Sequence, residues 1–222
     1  MDLLLPSLSD VWAQILWLAP FVLGALAYWY FREKNDPSIW KQAAADLGHQ
    51  YESSGTDKVI ISGSLRAYSF SLERKTRLIY KEYSKYKETI FEHQIRIPLK
   101  SSLWSGILIG PYTEVGDLMV AIGGEDQRVG HPQVDELYRV QNARADQLAT
   151  LSSEEGSKCM MSLKRRFEAV SVQDGELLLF QEGWLDSEYK IRRFIDDAIK
   201  GAEELDALMG VSTTSMGEGV LF

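Results

Sequence analysis

Residues 11–31 read VWAQILWLAPFVLGALAYWYF, and this stretch decides how the rest of the chain is organised. It contains no charged residue, and Gln14 is its only strongly polar side chain. As a helix, its 21 residues span about 31 Å, which matches a hydrocarbon core of roughly 30 Å. A helix satisfies its own backbone polar groups and can therefore cross a bilayer. The stretch predicts a single transmembrane helix at residues 11–31, after a short tail at residues 1–10.

Two other interpretations of this stretch were weighed. A helix buried in a globular core is rarely this long and free of charge. A cleaved signal peptide is the closer rival, because Ala25-Leu26-Ala27 fits an A-x-A cleavage site. A signal peptide begins with positive charge, however, and the tail MDLLLPSLSD contains Asp2 and Asp10 without Lys or Arg. The sequence therefore favours an uncleaved anchor.

Lysine and arginine on the two sides of the anchor predict its orientation. The N-terminal side has none, whereas Arg32, Lys34 and Lys41 follow on the C-terminal side. By the positive-inside rule, the tail lies outside and the C-terminal domain lies in the cytoplasm. The expected location is a membrane, with the C-terminal domain on its cytoplasmic side.

Charge is unevenly distributed over the 222 residues. The net charge is -8, which argues against a nucleic-acid partner. Residues 66–100 nevertheless carry nine Lys or Arg against four Asp or Glu, while residues 101–222 carry eleven against twenty-one. A basic region on an acidic protein indicates a local contact with an anionic partner.

Hydrophobic periodicity predicts an α+β domain after the anchor, with an antiparallel sheet, packed helices and a long C-terminal amphipathic helix. The predicted organisation is a linker at 32–37, a domain at 38–209 with subdomains at 38–124 and 125–209, and a tail at 210–222. The predicted helices are 36–47, 142–151, 152–166 and 186–209. The predicted strands are 59–61, 67–74, 88–99, 117–122, 137–141, 167–172 and 176–180, with residues 101–112 as a buried connection or strand. A phase break near His93 predicts a bulge, and Asp174-Gly175 predicts a hairpin turn.

The order of elements in the second half carries a resemblance. Gly130-His131-Pro132-Gln133-Val134-Asp135 precedes a Tyr-Arg-Val strand, and two short helices, the Asp174-Gly175 hairpin and a long closing helix follow. Over residues 115–208 the chain resembles a broad group of uncharacterised bacterial membrane proteins. These pair one or two N-terminal membrane helices with an α+β domain. The resemblance implies an envelope protein and assigns no catalytic residue.

Motifs for catalysis or metal binding are weak in this sequence. His49, His93 and His131 are dispersed and lack the spacing of metal ligands. Ser84-Lys85-Tyr86-Lys87 matches S-x-x-K but lies in a polar loop without companion motifs. Cys159 is the only cysteine and falls within a predicted helix, which indicates a packed thiol. The sequence predicts no catalytic residue, no metal and no cofactor.

The stretch from Arg74 to Lys87 is the predicted contact surface. Basic residues near a cytoplasmic membrane face gain roughly 1 kcal/mol each from anionic lipid, and tyrosine suits the same interface. The alternative is a solvated hairpin tip. The predicted contact residues are Arg74, Lys75, Arg77, Tyr80, Lys81, Tyr83, Lys85, Tyr86 and Lys87.

These observations predict a non-catalytic interaction or accessory module, anchored in a membrane and contacting a protein partner or anionic lipid headgroups. Two alternatives remain open. One is an enzyme whose site comes from scattered residues, which a polar pocket with converging titratable groups would favour. The other is a domain that binds lipid or a small hydrophobic molecule in an apolar cavity between sheet and helices.

Overall fold

The computed structural model describes residues 18–26, 37–54, 58–80, 87–111, 125–183 and 185–208. The chain divides into two compact units, residues 1–38 and residues 39–222. In the first unit, residues 18–26 are helical (α1) and expose large apolar side chains such as Phe21 and Leu23. The rest of the predicted membrane helix, the tail at 1–10 and residues 32–36 lie outside the described residues. Within the described part of the chain, no helix has both the length and the apolar character needed to cross a membrane.

The second unit is an α+β fold built on one antiparallel sheet, which confirms the predicted fold class. The described residues form eight strands in the order β1-β2-β3-β4-β8-β7-β5-β6. The strands are β1 (Gln50–Ser54), β2 (Lys58–Leu65), β3 (Tyr68–Tyr80), β4 (Lys87–Pro98), β5 (Leu108–Pro111), β6 (Tyr138–Gln141), β7 (Ala169–Gln173) and β8 (Glu176–Glu182). Strands from both predicted subdomains share this sheet, because β4 pairs with β8.

Helices follow and interrupt the strands. They are α2 (Pro37–Asp46), α3 (Pro132–Leu137), α4 (Ala145–Ser152), α5 (Glu154–Arg166) and α6 (Glu188–Leu208), with a short 3-10 helix at Ser102–Trp104. Helix α6 packs against α5 and β4, and α5 also packs against β7. The close fit of α5 and α6 depends on Gly201, where an added Cβ would lie 2.6 Å from Cδ2 of Leu163.

One face of the sheet carries the main core. Across the sheet, Ile61, Leu72, Ile95, Leu179 and Val170 lie opposite one another in register, and all are fully buried. The next row has a different composition. It places Val59 opposite Arg74, Arg74 opposite His93 and His93 opposite Gln181. Two polar side chains, Arg74 and His93, therefore occupy positions that period-two alternation reserves for apolar residues.

Several local predictions differ from the structure. The pairing of β3 with β4 runs without interruption through Arg74 and His93, so the predicted bulge is wrong. Asn142 does not cap α4, because its backbone is left-handed with φ of 56° and the helix begins at Ala145. Strand β1 and helix α3 were not predicted. The predicted strand at residues 117–122 and the tail at 210–222 lie outside the described residues.

Candidate functional site

Strands β3 and β4 continue beyond the rest of the sheet. The pairing of β2 with β3 ends at Lys58 opposite Lys75, and the pairing of β4 with β8 ends at Glu92 opposite Glu182. Residues 76–80 and 87–91 pair only with each other among the described strands. They form a two-stranded extension, the β3–β4 ribbon. Strand β3 therefore continues to Tyr80, six residues beyond the predicted end at Arg74.

The predicted contact residues fall into four groups. Lys75 and Arg77 are exposed at 38% and 61% of their side chains, and they lie 3.8 Å from Glu73 and 3.3 Å from Glu92, respectively. Arg74 is 3% exposed and lies inside the fold. Tyr80 and Lys87 lie on the paired strands of the ribbon. Lys81, Tyr83, Lys85 and Tyr86 lie outside the described residues.

Arg74 is held between aromatic rings. Its guanidinium carbon lies 5.4 Å from the centroid of the Trp40 ring and 5.6 Å from that of Phe91. Burial lowers the pKa of Arg74, and the nearby Tyr51 acts in the opposite direction. Cation–π contacts of this kind contribute about 2 kcal/mol when desolvated. They offset part of the several kcal/mol that burial of a cation costs.

No anionic partner balances Arg74 among the residues that the structure describes. None of the ion pairs found there includes Arg74, and its Nε has no hydrogen-bond partner. Buried charges are usually paired with an opposite charge. Arg74 thus places a buried positive charge at the base of the ribbon, next to the rings of Trp40 and Phe91.

His93 lies directly across from Arg74 and is 1% exposed. Its ring stacks on Trp40 with centroids 5.5 Å apart and an angle of 10° between the planes. The pKa of His93 is lowered to about 3, mainly by burial; a hydrogen bond with the Gln181 backbone acts in the other direction, and the charge of Arg74 adds to the lowering. His93 is therefore neutral near pH 7, and its Nδ1 has no hydrogen-bond partner among the described residues.

A cavity of about 300 Å³ opens beside His93, and we call it the His93 cavity. Its walls come from the ends of β8 and α5 and from the first turns of α6. The lining residues are His93, Arg166, Gln181, Glu182, Gly183, Leu185, Lys190, Arg193, Phe194 and Asp197. This lining includes no hydroxyl or thiol, and His93 with a pKa of about 3 is a weak general base near pH 7. The cations, carboxylates and amide of this lining can form hydrogen bonds with a polar ligand.

The remaining histidines, Cys159 and Ser84 were the other candidates for catalysis or metal binding in the sequence. His49 packs edge-on against Phe70, with ring centroids 5.0 Å apart, and its ring occupies the space left by the missing side chain of Gly63. His131 precedes the first residue of α3. Cys159 is buried, as predicted, and burial raises the pKa of its thiol to about 12. Ser84 lies outside the described residues, and within those described no three His, Cys, Asp or Glu side chains converge to hold a metal ion.

Sequence reasoning missed a buried carboxylate, Asp206 on α6. It is fully buried and accepts hydrogen bonds from the Tyr68 hydroxyl at 2.8 Å, the Lys100 backbone N–H at 3.0 Å and the Ser101 backbone N–H at 3.1 Å. Burial and this hydrogen bond raise the pKa of Tyr68. The contact fixes α6 to the segment that leaves β4. In the sequence, the only signal of its burial is its position on the apolar side of α6, next to Leu205.

Arg74 and His93 were also not recognised as a pair from the sequence. They are 19 positions apart, and only the register of β3 and β4 brings them together. The signal that could have identified them is a polar residue at an inward position of each strand. In β3 this is Arg74 after Phe70 and Leu72, and in β4 it is His93 before Ile95 and Ile97.

Comparisons with known proteins add one structural similarity. No protein-family model matches the chain, and no curated protein matches it. In structure, the chain is similar to the mycobacterial trehalose monomycolate transport factor A, with a TM-score of 0.47 and 11% sequence identity, over 78% of this chain and 93% of that one. A similarity of this extent does not establish a shared function.

Proposed function

We propose that this chain is a single-pass membrane protein whose α+β domain is a non-catalytic interaction module at the inner face of a bacterial membrane. In this proposal the β3–β4 ribbon is the part that contacts anionic lipid headgroups. The observation that carries it is the continuation of the ribbon beyond the rest of the sheet, with Arg77 exposed on it and Lys75 half-buried at its base. Because the ribbon continues past the ends of its neighbouring strands, it can contact a surface beyond the edge of the shared sheet.

The charges of the ribbon region support the proposal. Lys75, Arg77, Lys81, Lys85 and Lys87 lie within 13 consecutive residues, together with Tyr80, Tyr83 and Tyr86. Each cation near an anionic bilayer contributes roughly 1 kcal/mol. Glu82 within the stretch, Glu88 directly after it, and the pairing of Arg77 with Glu92 reduce that sum. The remaining attraction is sufficient for a segment that an adjacent anchor already holds near the membrane.

The anchor at residues 11–31 and its orientation are part of the proposal. They rest on the uncharged length of the stretch and on Arg32, Lys34 and Lys41 after it. Reporter fusions after Phe222 test this part. We expect cytoplasmic activity of the reporter and an uncleaved chain in the membrane fraction. A periplasmic reporter, or loss of the first 27 residues, would overturn it.

Vesicle flotation of residues 37–222 tests the ribbon. We expect binding to vesicles that contain phosphatidylglycerol and none to phosphatidylcholine alone. Replacing Arg77, Lys81 and Lys85 by Gln should abolish most of the binding. The matched control replaces Lys158, Arg192 and Lys200, which are exposed elsewhere on the domain, and so changes the net charge equally. Equal loss in both variants would show a general charge effect and would refute a specific role of the ribbon.

A further inference from the structure

The His93 cavity combines features that point to a ligand. Three cationic side chains line it: Arg166, Lys190 and Arg193. The ring of His93, which is 99% buried with an unpaired Nδ1, forms part of the same wall. A buried polar atom without a partner requires an explanation. A bound ligand that hydrogen-bonds to this nitrogen provides one.

The cations of the lining are only weakly engaged within the protein. Lys190 pairs with Asp186 at 2.7 Å and Arg193 with Asp197 at 3.6 Å, and their side chains are 49% and 68% exposed. Exposed pairs of this kind contribute about 0–1 kcal/mol, so a ligand can compete for both cations at little cost. Arg166 is more firmly held, since it contacts Glu204 and donates to the backbone oxygen of Asp197 at 3.3 Å.

A further positive charge lies behind the cavity wall. Arg74 is directly across from His93 on the neighbouring strand and has no ion pair with a described residue. Its charge adds to the effect of burial in lowering the pKa of His93. An anion bound at the His93 wall would supply the counter-charge that the described interior lacks.

The rest of the lining narrows the class of ligand. Glu182 and Asp197 also line the cavity, so three cations face two carboxylates. Carboxylates and the amide of Gln181 can accept hydrogen bonds from ligand hydroxyl groups. Arginine and lysine together suit the several oxygens of a phosphate. A volume of about 300 Å³ admits only a small molecule or a headgroup.

We propose that the His93 cavity binds a small hydroxyl-bearing phosphate ester, with the phosphate on Lys190 and Arg193 and the hydroxyl groups toward Glu182 and Gln181. The same chemistry is present in free glycerol phosphate and in the headgroup of phosphatidylglycerol. This site is separate from the β3–β4 ribbon. It does not depend on the function proposed for the ribbon.

Titration calorimetry of the full chain in phosphatidylcholine nanodiscs tests the site, with glycerol 3-phosphate as the probe. We expect saturable binding, and at least a tenfold loss of affinity in the Lys190→Gln/Arg193→Gln variant. Arg192→Gln is the matched control. It lies on the same helix, its side chain is 50% exposed, and it does not line the cavity. Lys75→Gln/Arg77→Gln should bind as the wild type does, which separates this result from any failure of the ribbon proposal.

A second arm identifies the source of the phosphate ester. If the lipid headgroup occupies the cavity, phosphatidylglycerol in the nanodisc should compete with glycerol 3-phosphate and weaken its apparent affinity. If the ligand is the free ester, its affinity should be the same in both nanodiscs. Either result supports a phosphate-ester site in the His93 cavity. The proposal is refuted by absence of saturable binding up to about 10 mM. Equal affinity of the wild type and Lys190→Gln/Arg193→Gln, or equal losses in that variant and Arg192→Gln, would also refute it.

Discussion

Arg74 and His93 lie directly opposite each other on β3 and β4, both on the core face of the sheet and both in contact with the ring of Trp40. The pair is 3% and 1% exposed. It lies where the β3–β4 ribbon leaves the sheet and where the His93 cavity opens. The pair therefore lies next to both proposed binding surfaces, the β3–β4 ribbon and the His93 cavity.

The first prediction concerns the stability of the domain at acid pH. His93 has a pKa of about 3 in the folded chain and about 6.5 when unfolded, so the unfolded state binds the extra proton between these values. The contribution of neutral His93 to the free energy of unfolding is fully present above pH 6.5. It falls by about 1.4 kcal/mol per pH unit as the pH drops toward 3. Urea unfolding of residues 37–222 between pH 4.5 and 7.5 measures this slope.

The control for this slope is His93→Gln, which cannot titrate. We expect its free energy of unfolding to depend less on pH below 6.5 than that of the wild type, whatever the other groups contribute. Parallel pH profiles for the two proteins would show that His93 has the same pKa in the folded and unfolded chain, which would contradict its burial.

The second prediction concerns Asp206. Asp206→Ala leaves the Tyr68 hydroxyl and the N–H groups of Lys100 and Ser101 without an acceptor, because all three donate to this carboxylate. We expect a loss of about 3–5 kcal/mol in the free energy of unfolding. Tyr68→Phe removes one of the three hydrogen bonds and should cost about 1–2 kcal/mol. A loss from Asp206→Ala no greater than that from Tyr68→Phe would contradict the observed contacts.

The third prediction compares two helical glycines. At Gly156 an added Cβ would meet the backbone oxygen of Thr150, which cannot move without shifting the turn between α4 and α5. At Gly201 it would meet the end of the Leu163 side chain, which can rotate away. Alanine gains about 1 kcal/mol of helix propensity at either site. We expect Gly156→Ala to destabilise by about 2 kcal/mol or more and Gly201→Ala by about 1 kcal/mol or less. The reverse order in urea unfolding would contradict the packing described.

The fourth prediction concerns Cys159. Its thiol is 7% exposed and has a pKa of about 12, raised first by burial and then by the charge of Glu204. At pH 8 the thiolate fraction is roughly a thousandfold below that of an ordinary cysteine. We expect thiol reagents to label the folded chain far more slowly than the urea-unfolded chain. Equal rates would show that α5 opens readily.

Local patterns in the sequence predicted much of the fold. The apolar stripe of α6 runs from Ile191 to Leu205, and the structure buries it. The Asp174-Gly175 turn has φ values of 52° and 81°, the left-handed backbone that such a hairpin requires. Both signals are contained within a few residues of chain. The α+β class followed from these segments.

The candidate site could be predicted only in part, because its decisive contacts are not local. The burial of Asp206 depends on Tyr68, 138 positions earlier. The burial of Arg74 depends on Trp40 and Phe91, which come from α2 and β4. From the sequence, Arg74 was grouped with exposed basic neighbours. Period-two alternation after Phe70 and Leu72 places Arg74 on the inward face of β3, but it does not show which side chains surround the guanidinium.

The measurement that tests the account most directly is hydrogen–deuterium exchange of the full chain in nanodiscs. Neutral nanodiscs of phosphatidylcholine are compared with nanodiscs that also contain phosphatidylglycerol. We predict slower exchange at residues 76–91 in the anionic nanodiscs, and loss of that difference when Arg77, Lys81 and Lys85 are replaced by Gln. Identical exchange at these residues in both nanodiscs would contradict a lipid contact by the β3–β4 ribbon.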